Sequence, residues 1–175
     1  MQANAHARDR ILGSLRSAEG KGAVARIEQR FDTDLDDLWS ALTEPHRLAG
    51  WYGEVEGDLR LGGEFRASVF ASGWEGTGRV EACEPPRRIL VVSQDPELPS
   101  DDFIEVTLTA DGGRTILVVE QWGIPLELLA AYAAGLQIHV EDLEDHIAGR
   151  ERREAAKARW DELVPAYREL AAGVS

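Results

Sequence analysis

The order of the periodic segments between residues 23 and 148 constrains the fold more than any other feature of this sequence. An alternating pattern typical of a strand begins at Ala23, with Ala25, Ile27 and Phe31 separated by charged or polar residues. Two short helices, six further strand segments and one long helix are predicted after it. Consecutive antiparallel hairpins form a curved sheet, and a long helix can cover one face of such a sheet. We therefore expect an α+β domain.

The two short helices are predicted from residues 32–51. The apolar residues of the first helix are spaced i, i+3, i+4 and i+7, and they are Leu35, Leu38, Trp39 and Leu42. Thr33 or Asp32 is the expected N-cap. Pro45 suits the first position of the second helix, which we expect to end before Trp51. This spacing places Trp39 in the core, where a fully buried indole would lose about 3–5 kcal/mol on truncation to alanine.

Glycine-rich and proline-rich turns separate the later strands. The predicted strands lie near residues 54–61, 64–71, 74–82, 87–94, 102–109 and 114–122. A long helix is predicted from Leu126 to Ala148. A last helix is predicted from Glu151 to Ala171, with Pro165 as a point of interruption.

The first 22 residues are interpreted as an addition to this unit. Ile11, Leu12 and Leu15 form a modest apolar stripe, and glycines follow it. We expect residues 1–22 to form a helical extension with a linker, and residues 23–175 to form one domain that includes the last helix.

Four further stretches share a pattern with a known superfamily. They are GDLRLGGEF at 57–65, GTGRV at 76–80, EPPRRI at 84–89 and AGLQIHV at 134–140. Together with residues 31–51 they resemble the START-like (SRPBCC) superfamily, in the branch similar to the activator of heat-shock-protein ATPase. The resemblance implies a helix-grip fold, in which a curved antiparallel sheet wraps around a long C-terminal helix. It leaves the function open, since the superfamily includes ligand carriers, cyclases and co-chaperones.

The charge of the chain excludes some partners. With 19 Lys and Arg against 32 Asp and Glu, the formal net charge is −13. Such a chain repels phosphate backbones and anionic membrane surfaces, so we expect no nucleic acid and no membrane as partners. The longest apolar run, Leu128 to Leu136, is too short to span a bilayer. A single cysteine, Cys83, and no secretory-type N-terminus favour a cytoplasmic protein.

The long helix carries the first candidate site. Its apolar stripe consists of Leu129, Tyr132, Leu136, Val140, Leu143 and Ile147. His139 borders this stripe, and two interpretations remain open. It is a half-exposed boundary residue beside Asp142, which we favour, or it faces a cavity and orients a polar ligand group or acts as a general base. His139 and His146 with Asp142 lack the spacing of a known metal site, so we expect no metal.

Tryptophans at the ends of predicted elements are the second candidate. Large aromatic side chains beside a concave sheet can stack on a flat apolar ligand. Alternation in residues 64–70 puts Phe65, Ala67 and Val69 on the expected concave face. The residues we expect at a ligand site are Trp51, Trp74, Trp122, His139, Phe65, Leu136 and Leu143.

The leading hypothesis is binding of a small, mostly apolar molecule between the long helix and the sheet, with no cofactor and no assigned catalytic residue. An alternative from another class is an interaction protein that modulates a chaperone or another protein partner, as the resemblance implies. A third is an enzyme of the cyclase or hydrolase type that uses His139 and a nearby carboxylate.

Overall fold

The structure is a computed structural model that describes residues 11–153 and 156–174. In this part of the chain, eight strands form one antiparallel sheet in the order β1-β2-β8-β7-β6-β5-β4-β3. The strands are β1 (Gly13–Ala18), β2 (Gly22–Phe31), β3 (Gly53–Gly57), β4 (Glu64–Val69), β5 (Glu75–Glu84), β6 (Arg88–Gln94), β7 (Asp102–Asp111) and β8 (Arg114–Trp122). The helices are α1 (Leu35–Thr43), α2 (Pro45–Leu48), α3 (Leu126–Ile147) and α4 (Ala156–Ala172).

The sheet curves around α3, and the main core lies between them. On β2, the alternate residues Ala25, Ile27 and Phe31 are 2%, 1% and 1% exposed, because they face the helix. Leu117 and Val119 of β8 lie on the same face through the antiparallel register. We call this the concave face and the other the convex face. The predicted α+β helix-grip fold is confirmed.

The first short helix has a different N-cap from the expected one, whereas the second begins at Pro45 as predicted. Asp34, in extended backbone conformation, is the N-cap of α1, and its carboxylate accepts from the Asp37 N–H at 2.8 Å. The expectation of Asp32 or Thr33 is therefore wrong. The Thr33 hydroxyl donates to the Asp37 carboxylate at 2.6 Å instead, so its side chain supports the first turn without capping it.

The N-terminal segment differs from the helix that its apolar stripe predicts. Residues 13–18 form β1, which pairs antiparallel with β2 so that Leu15 lies opposite Ala25 on the concave face. Pairing satisfies backbone groups along an otherwise open edge of β2, whereas a short isolated helix is marginal in water. The expected helical extension is wrong for residues 13–18, and residues 1–10 lie outside the described part.

Helix α3 is buried on two sides, not along the single stripe that the sequence predicts. Its second face, with Ala134, Gln137 and Ile138 at 0%, 0% and 3% exposure, packs against other elements, chiefly α4. Helix α4 runs without a break through Pro165, contrary to expectation. Burial of Leu163, Val164 and Tyr167 against α3 offsets the one hydrogen bond that a helical proline loses.

One buried hydrogen-bond network ties β1, α3 and α4 together. The Tyr167 hydroxyl accepts from the Gly13 N–H at 3.0 Å and donates to Gln137 Oε1 at 2.6 Å. The Leu12 N–H also donates to Gln137 Oε1, at 3.0 Å. None of the helices in the described residues is long and apolar enough to cross a membrane.

We expect Tyr167→Phe to lower the free energy of unfolding by about 1–3 kcal/mol, because it leaves buried polar groups without this partner. Urea denaturation of the purified variant measures the change. Leu170→Ala is the matched control, since Leu170 lies on the same helix and is 40% exposed. Equal losses in the two variants would contradict a role for the Tyr167 network.

Candidate functional site

Two aromatic rings lie flat on glycines of the concave face. A Cβ atom at Gly76 would lie 2.3 Å from a ring atom of Trp74, and one at Gly78 would lie 2.5 Å from a ring atom of Phe65. Both rings are only part-buried although they pack against the core. The glycines of β5 therefore make room for an aromatic floor under α3. The predicted residues Trp74 and Phe65 both lie on the concave side.

His139 points from α3 toward this side and meets Tyr52, the residue before β3. The two rings are 5.0 Å apart, edge to face. Burial lowers the pKa of His139 to about 4, so its imidazole is neutral at physiological pH. The Nδ1 atom is buried without a hydrogen-bond partner among the described residues.

The tautomer of His139 follows from this environment. A buried N–H without an acceptor costs more than a bare ring nitrogen, so we assign the proton to Nε2. No described residue hydrogen-bonds to Nε2, and this atom is not among the buried unpartnered atoms, so it retains accessible surface. His139 can thus donate one hydrogen bond into the space that it faces.

The favoured interpretation of His139 as a half-exposed boundary residue is wrong, because its ring packs on Tyr52 and its Nδ1 atom is buried. Asp142 is 7% exposed and turns toward Arg153, whose Nη2 donates to its Oδ1 at 3.3 Å. Asp142 lies one turn from His139 along the helix, but Arg153 of the segment that leads to α4 engages its carboxylate, and no hydrogen bond joins Asp142 to His139 Nδ1. A cyclase-type pair of His139 with this carboxylate is absent.

The other two predicted tryptophans lie in different environments. Trp51 is 6% exposed, and its indole N–H donates to the Ala41 carbonyl at 3.0 Å, so it anchors α1. Trp122 lies on the convex face, stacked on Phe103 with 5.4 Å between ring centroids, and Lys21 covers it at 4.2 Å. The expectation that Trp122 lies at a ligand site between the helix and the sheet is wrong. Its position opposite Phe103 in the strand register places its side chain on the convex face.

Leu136 and Leu143, the remaining predicted residues, are 6% and 1% exposed on α3. Both belong to the main core cluster. Leu136 is one turn from Tyr132 and from His139, so it lies on the sheet-facing side of the helix. Leu143 lies one turn after His139, and other protein atoms surround its side chain.

Polar residues that the sequence did not single out gather where β6 ends and β7 begins. Ser93 lies directly opposite Asp102 in the register, and Gln121 lies on the next strand. Gln121 Nε2 donates to Asp102 Oδ2 at 3.3 Å. The Tyr132 hydroxyl of α3 donates to Asp95 Oδ2 at 2.9 Å, which closes the cluster from the helix side. We call Ser93, Asp95, Asp102 and Gln121 the polar end.

Burial dominates the electrostatics of the polar end. It raises the pKa of Asp102 to about 6, and the negative charge of Asp95 adds to the effect. Burial, with a smaller contribution from the Asp102 charge, raises the pKa of Tyr52 to about 12. The Tyr52 phenol therefore remains protonated and can donate or accept a hydrogen bond.

A groove opens at the opposite end of the sheet. Its volume is about 460 Å³, and its walls include Trp39 of α1, Leu59 of the β3–β4 connection and Cys83 of β5. Burial raises the pKa of the Cys83 thiol, so it is not activated as a nucleophile. Trp39 is only part-buried here, so the prediction of a fully buried core tryptophan is wrong.

A depression of about 340 Å³ on the convex face has a different character. Charged side chains of β3 to β5 border it, among them Glu56, Arg66 and Arg79. These residues are exposed and alternate with the concave-face residues of the same strands. It is a solvated strand surface, and we do not include it in the candidate site.

The opposite pKa shifts of His139 and Asp102 give a paired prediction. Unfolding raises the pKa of His139 from about 4 to its ordinary value. His139 therefore lowers the free energy of unfolding as the pH falls below about 6.5. Unfolding lowers the pKa of Asp102 from about 6 to its ordinary value. Asp102 therefore lowers the free energy of unfolding as the pH rises through about 4–6.

Urea denaturation at pH 7 and pH 4.5 tests this pair. Relative to the unsubstituted protein, His139→Leu should gain on the order of 2 kcal/mol in free energy of unfolding on going from pH 7 to pH 4.5. Asp102→Asn should lose a similar amount over the same interval. A His139→Leu profile parallel to that of the unsubstituted protein would mean that the imidazole is solvated.

Comparison with known proteins places these features in a family. The family described as Activator of Hsp90 ATPase homolog 1-like protein matches residues 32–148. A search of curated proteins found no match. CalU16 from Micromonospora echinospora is similar in structure, with 27% identity over 91% of this chain and 96% of that chain and a TM-score of 0.75.

Two other solved structures are also similar. MLL2253 from Mesorhizobium loti has 26% identity over 72% of this chain and 97% of that chain, with a TM-score of 0.63. DynU16, a protein in the dynemicin biosynthetic locus, has 25% identity over 74% of this chain and a TM-score of 0.66. This chain spans only 51% of DynU16. Because the family match covers more than half of its sequence, the chain belongs to the Activator of Hsp90 ATPase homolog 1-like family.

Proposed function

We propose that this protein binds a small, mostly apolar molecule between α3 and the concave face of the sheet. The observation that carries the proposal is the unused hydrogen-bonding capacity at His139 and Tyr52. No described residue hydrogen-bonds to His139 Nε2 or to the Tyr52 hydroxyl, and neither atom is among the fully buried atoms without a partner. Polar groups inside a folded protein are normally paired, so this spare capacity is available to a ligand.

The apolar walls of the same space support this proposal. Phe65, Ile104 and Val106 lie on the concave face, yet each retains accessible surface. In a close-packed interior such side chains would be covered by α3. Trp74 and Phe65 offer flat ring faces on which an apolar ligand can stack. A ligand with an apolar body and an acceptor oxygen near His139 Nε2 fits these walls.

The groove at the opposite end of the sheet is the entry path that we propose for the ligand. Gly57 and Cys83, at the inner side of the groove, lie on concave-face positions of β3 and β5. Trp39 and Leu59 give its rim an apolar surface. A ligand entering there would pass Cys83 before it reaches the aromatic floor.

The alternatives have less support. An interaction with a chaperone rests on the family description alone. DynU16 comes from a biosynthetic locus, which favours a small molecule over a protein as the ligand of this fold. An enzymatic role for His139 lacks its carboxylate partner, since Asp142 pairs with Arg153.

Binding of the neutral dye N-phenyl-1-naphthylamine tests the proposal. We expect its fluorescence to rise and tryptophan emission to fall on titration, with saturation at one site. Ile104→Trp should weaken binding at least about tenfold, because the added ring fills the concave space. Thr109→Trp is the matched control, since Thr109 is exposed on the same strand and should leave binding unchanged.

No binding to the unsubstituted protein, or equal binding by Ile104→Trp and Thr109→Trp, would overturn the proposal. His139→Leu gives a further test. It should leave the affinity for the dye within about threefold while weakening the binding of an analogue with a carbonyl group, since only that analogue accepts a hydrogen bond from Nε2. Saturating dye should also slow alkylation of Cys83.

A further inference from the structure

The polar end contains two buried carboxylates without a cation. Asp95 and Asp102 are 9% and 5% exposed. Among the described residues, the Lys and Arg ion pairs all involve other acids, and neither of these two takes part. A buried carboxylate is costly unless a positive charge or several hydrogen bonds compensate it.

The two carboxylates differ in how far they are satisfied. Asp95 accepts from the Tyr132 hydroxyl at 2.9 Å and from the Glu97 N–H at 2.9 Å. Asp102 accepts one long side-chain hydrogen bond, from Gln121 at 3.3 Å. Burial raises its pKa, and this one hydrogen bond only partly opposes the shift. Asp102 is therefore the carboxylate with capacity left for a donor.

A second, independent observation lies beside Asp102. Ser93 is 9% exposed and stands directly across from Asp102 on the concave face. No described residue hydrogen-bonds to its hydroxyl, and this oxygen is not among the fully buried atoms without a partner, so it is accessible to a donor from a ligand. Cross-strand partners are about 5 Å apart at Cβ, so one group can touch both side chains.

We propose that the ligand carries a basic amine, and that its ammonium group is bound by Asp102 and Ser93 at the polar end. This inference rests on the proposed function and specifies the class of ligand. An ammonium group has several donors and no acceptor, which matches a carboxylate and a hydroxyl oxygen with free lone pairs. Asp95 adds a negative charge nearby, so an anionic ligand group is repelled here.

The cation that fits is organic, not a metal ion. No group of three His, Cys, Asp or Glu side chains suited to a metal occurs in the part of the chain that the structure describes. The other groups facing Asp102 are Tyr52, Tyr132 and Gln121, which are neutral. The adjacent Asp101 is exposed and adds only negative charge.

Three naphthalene probes of similar size test the inference at pH 7.5: 2-naphthylmethylamine, 2-naphthalenemethanol and 2-naphthoic acid. Displacement of N-phenyl-1-naphthylamine reports their affinities. We expect the amine to bind about tenfold or more tightly than the alcohol, and the acid to bind most weakly. Asp102→Asn should reduce the ratio of amine to alcohol to about one, because it removes the charge and keeps the shape.

Asp101→Asn is the matched control, since it removes the same charge from the exposed neighbouring position and should preserve the ratio. Ser93→Ala should lower the ratio about threefold, and it provides the test if Asp102→Asn does not fold. An amine that binds no better than the alcohol overturns the inference while ligand binding stands. A ratio unchanged in Asp102→Asn or in Ser93→Ala also overturns it. Failure of every probe, the dye included, overturns the proposed function itself.

Discussion

The structure depends on the burial of α3 on two sides at once. The sheet covers one side, while α4 and the segment before it cover the other. Arg159, itself 8% exposed, donates to Glu141 from Nη2 at 2.7 Å, and Tyr167 bonds to Gln137. The Leu12 and Gly13 N–H groups bond to Gln137 and Tyr167, so these contacts hold α3 against both α4 and the segment that begins β1. The position of α3 fixes where His139 and Tyr132 meet the concave face.

With α3 held in place, the concave space has two chemically distinct ends. The end near Trp39 and Cys83 is an open groove with apolar walls. The other end, beneath the first half of α3, is lined by buried acids and a serine. The ring of Phe65 lies on Gly78, which is opposite Ser93, so this ring is level with the polar end across the strands, and the ring of Trp74 lies beside Gly76 on the same strand. The space therefore suits a molecule with an apolar body and a polar group at one end.

Membership of the family accounts for the fold but does not identify the ligand, which depends on individual side chains. The family match covers residues 32–148, which excludes β1, β2 and α4. The similarity to CalU16 covers 91% of the chain, so it extends beyond the matched range. Folds of this kind support different functions through the residues that line their interior. The residues that we propose to select the ligand in this chain are His139, Asp102 and Ser93.

Periodicity in the sequence was sufficient to predict most of the elements. Alternation predicted β2 and the inward face of Phe65, and a spacing of 3.6 residues predicted α1 and α3. These signals are local, because the period of an apolar face depends only on backbone geometry. Tyr52 could have been found from its place between the buried Trp51 and β3, but no pattern marked its ring as a partner of His139.

Pairing between distant segments of the chain determined the features that periodicity did not predict. Residues 13–18 form a strand only because the edge of β2 is available to pair with them. Trp122 faces outward because its register with Phe103 places it there, which alternation at the end of an apolar strand cannot show. Ser93 and Asp102 meet through the pairing of β6 with β7. The sequence by itself thus determined the order and periodicity of the elements. Only the tertiary structure decided which polar groups share the interior, since strand register and helix position depend on contacts between distant parts of the chain.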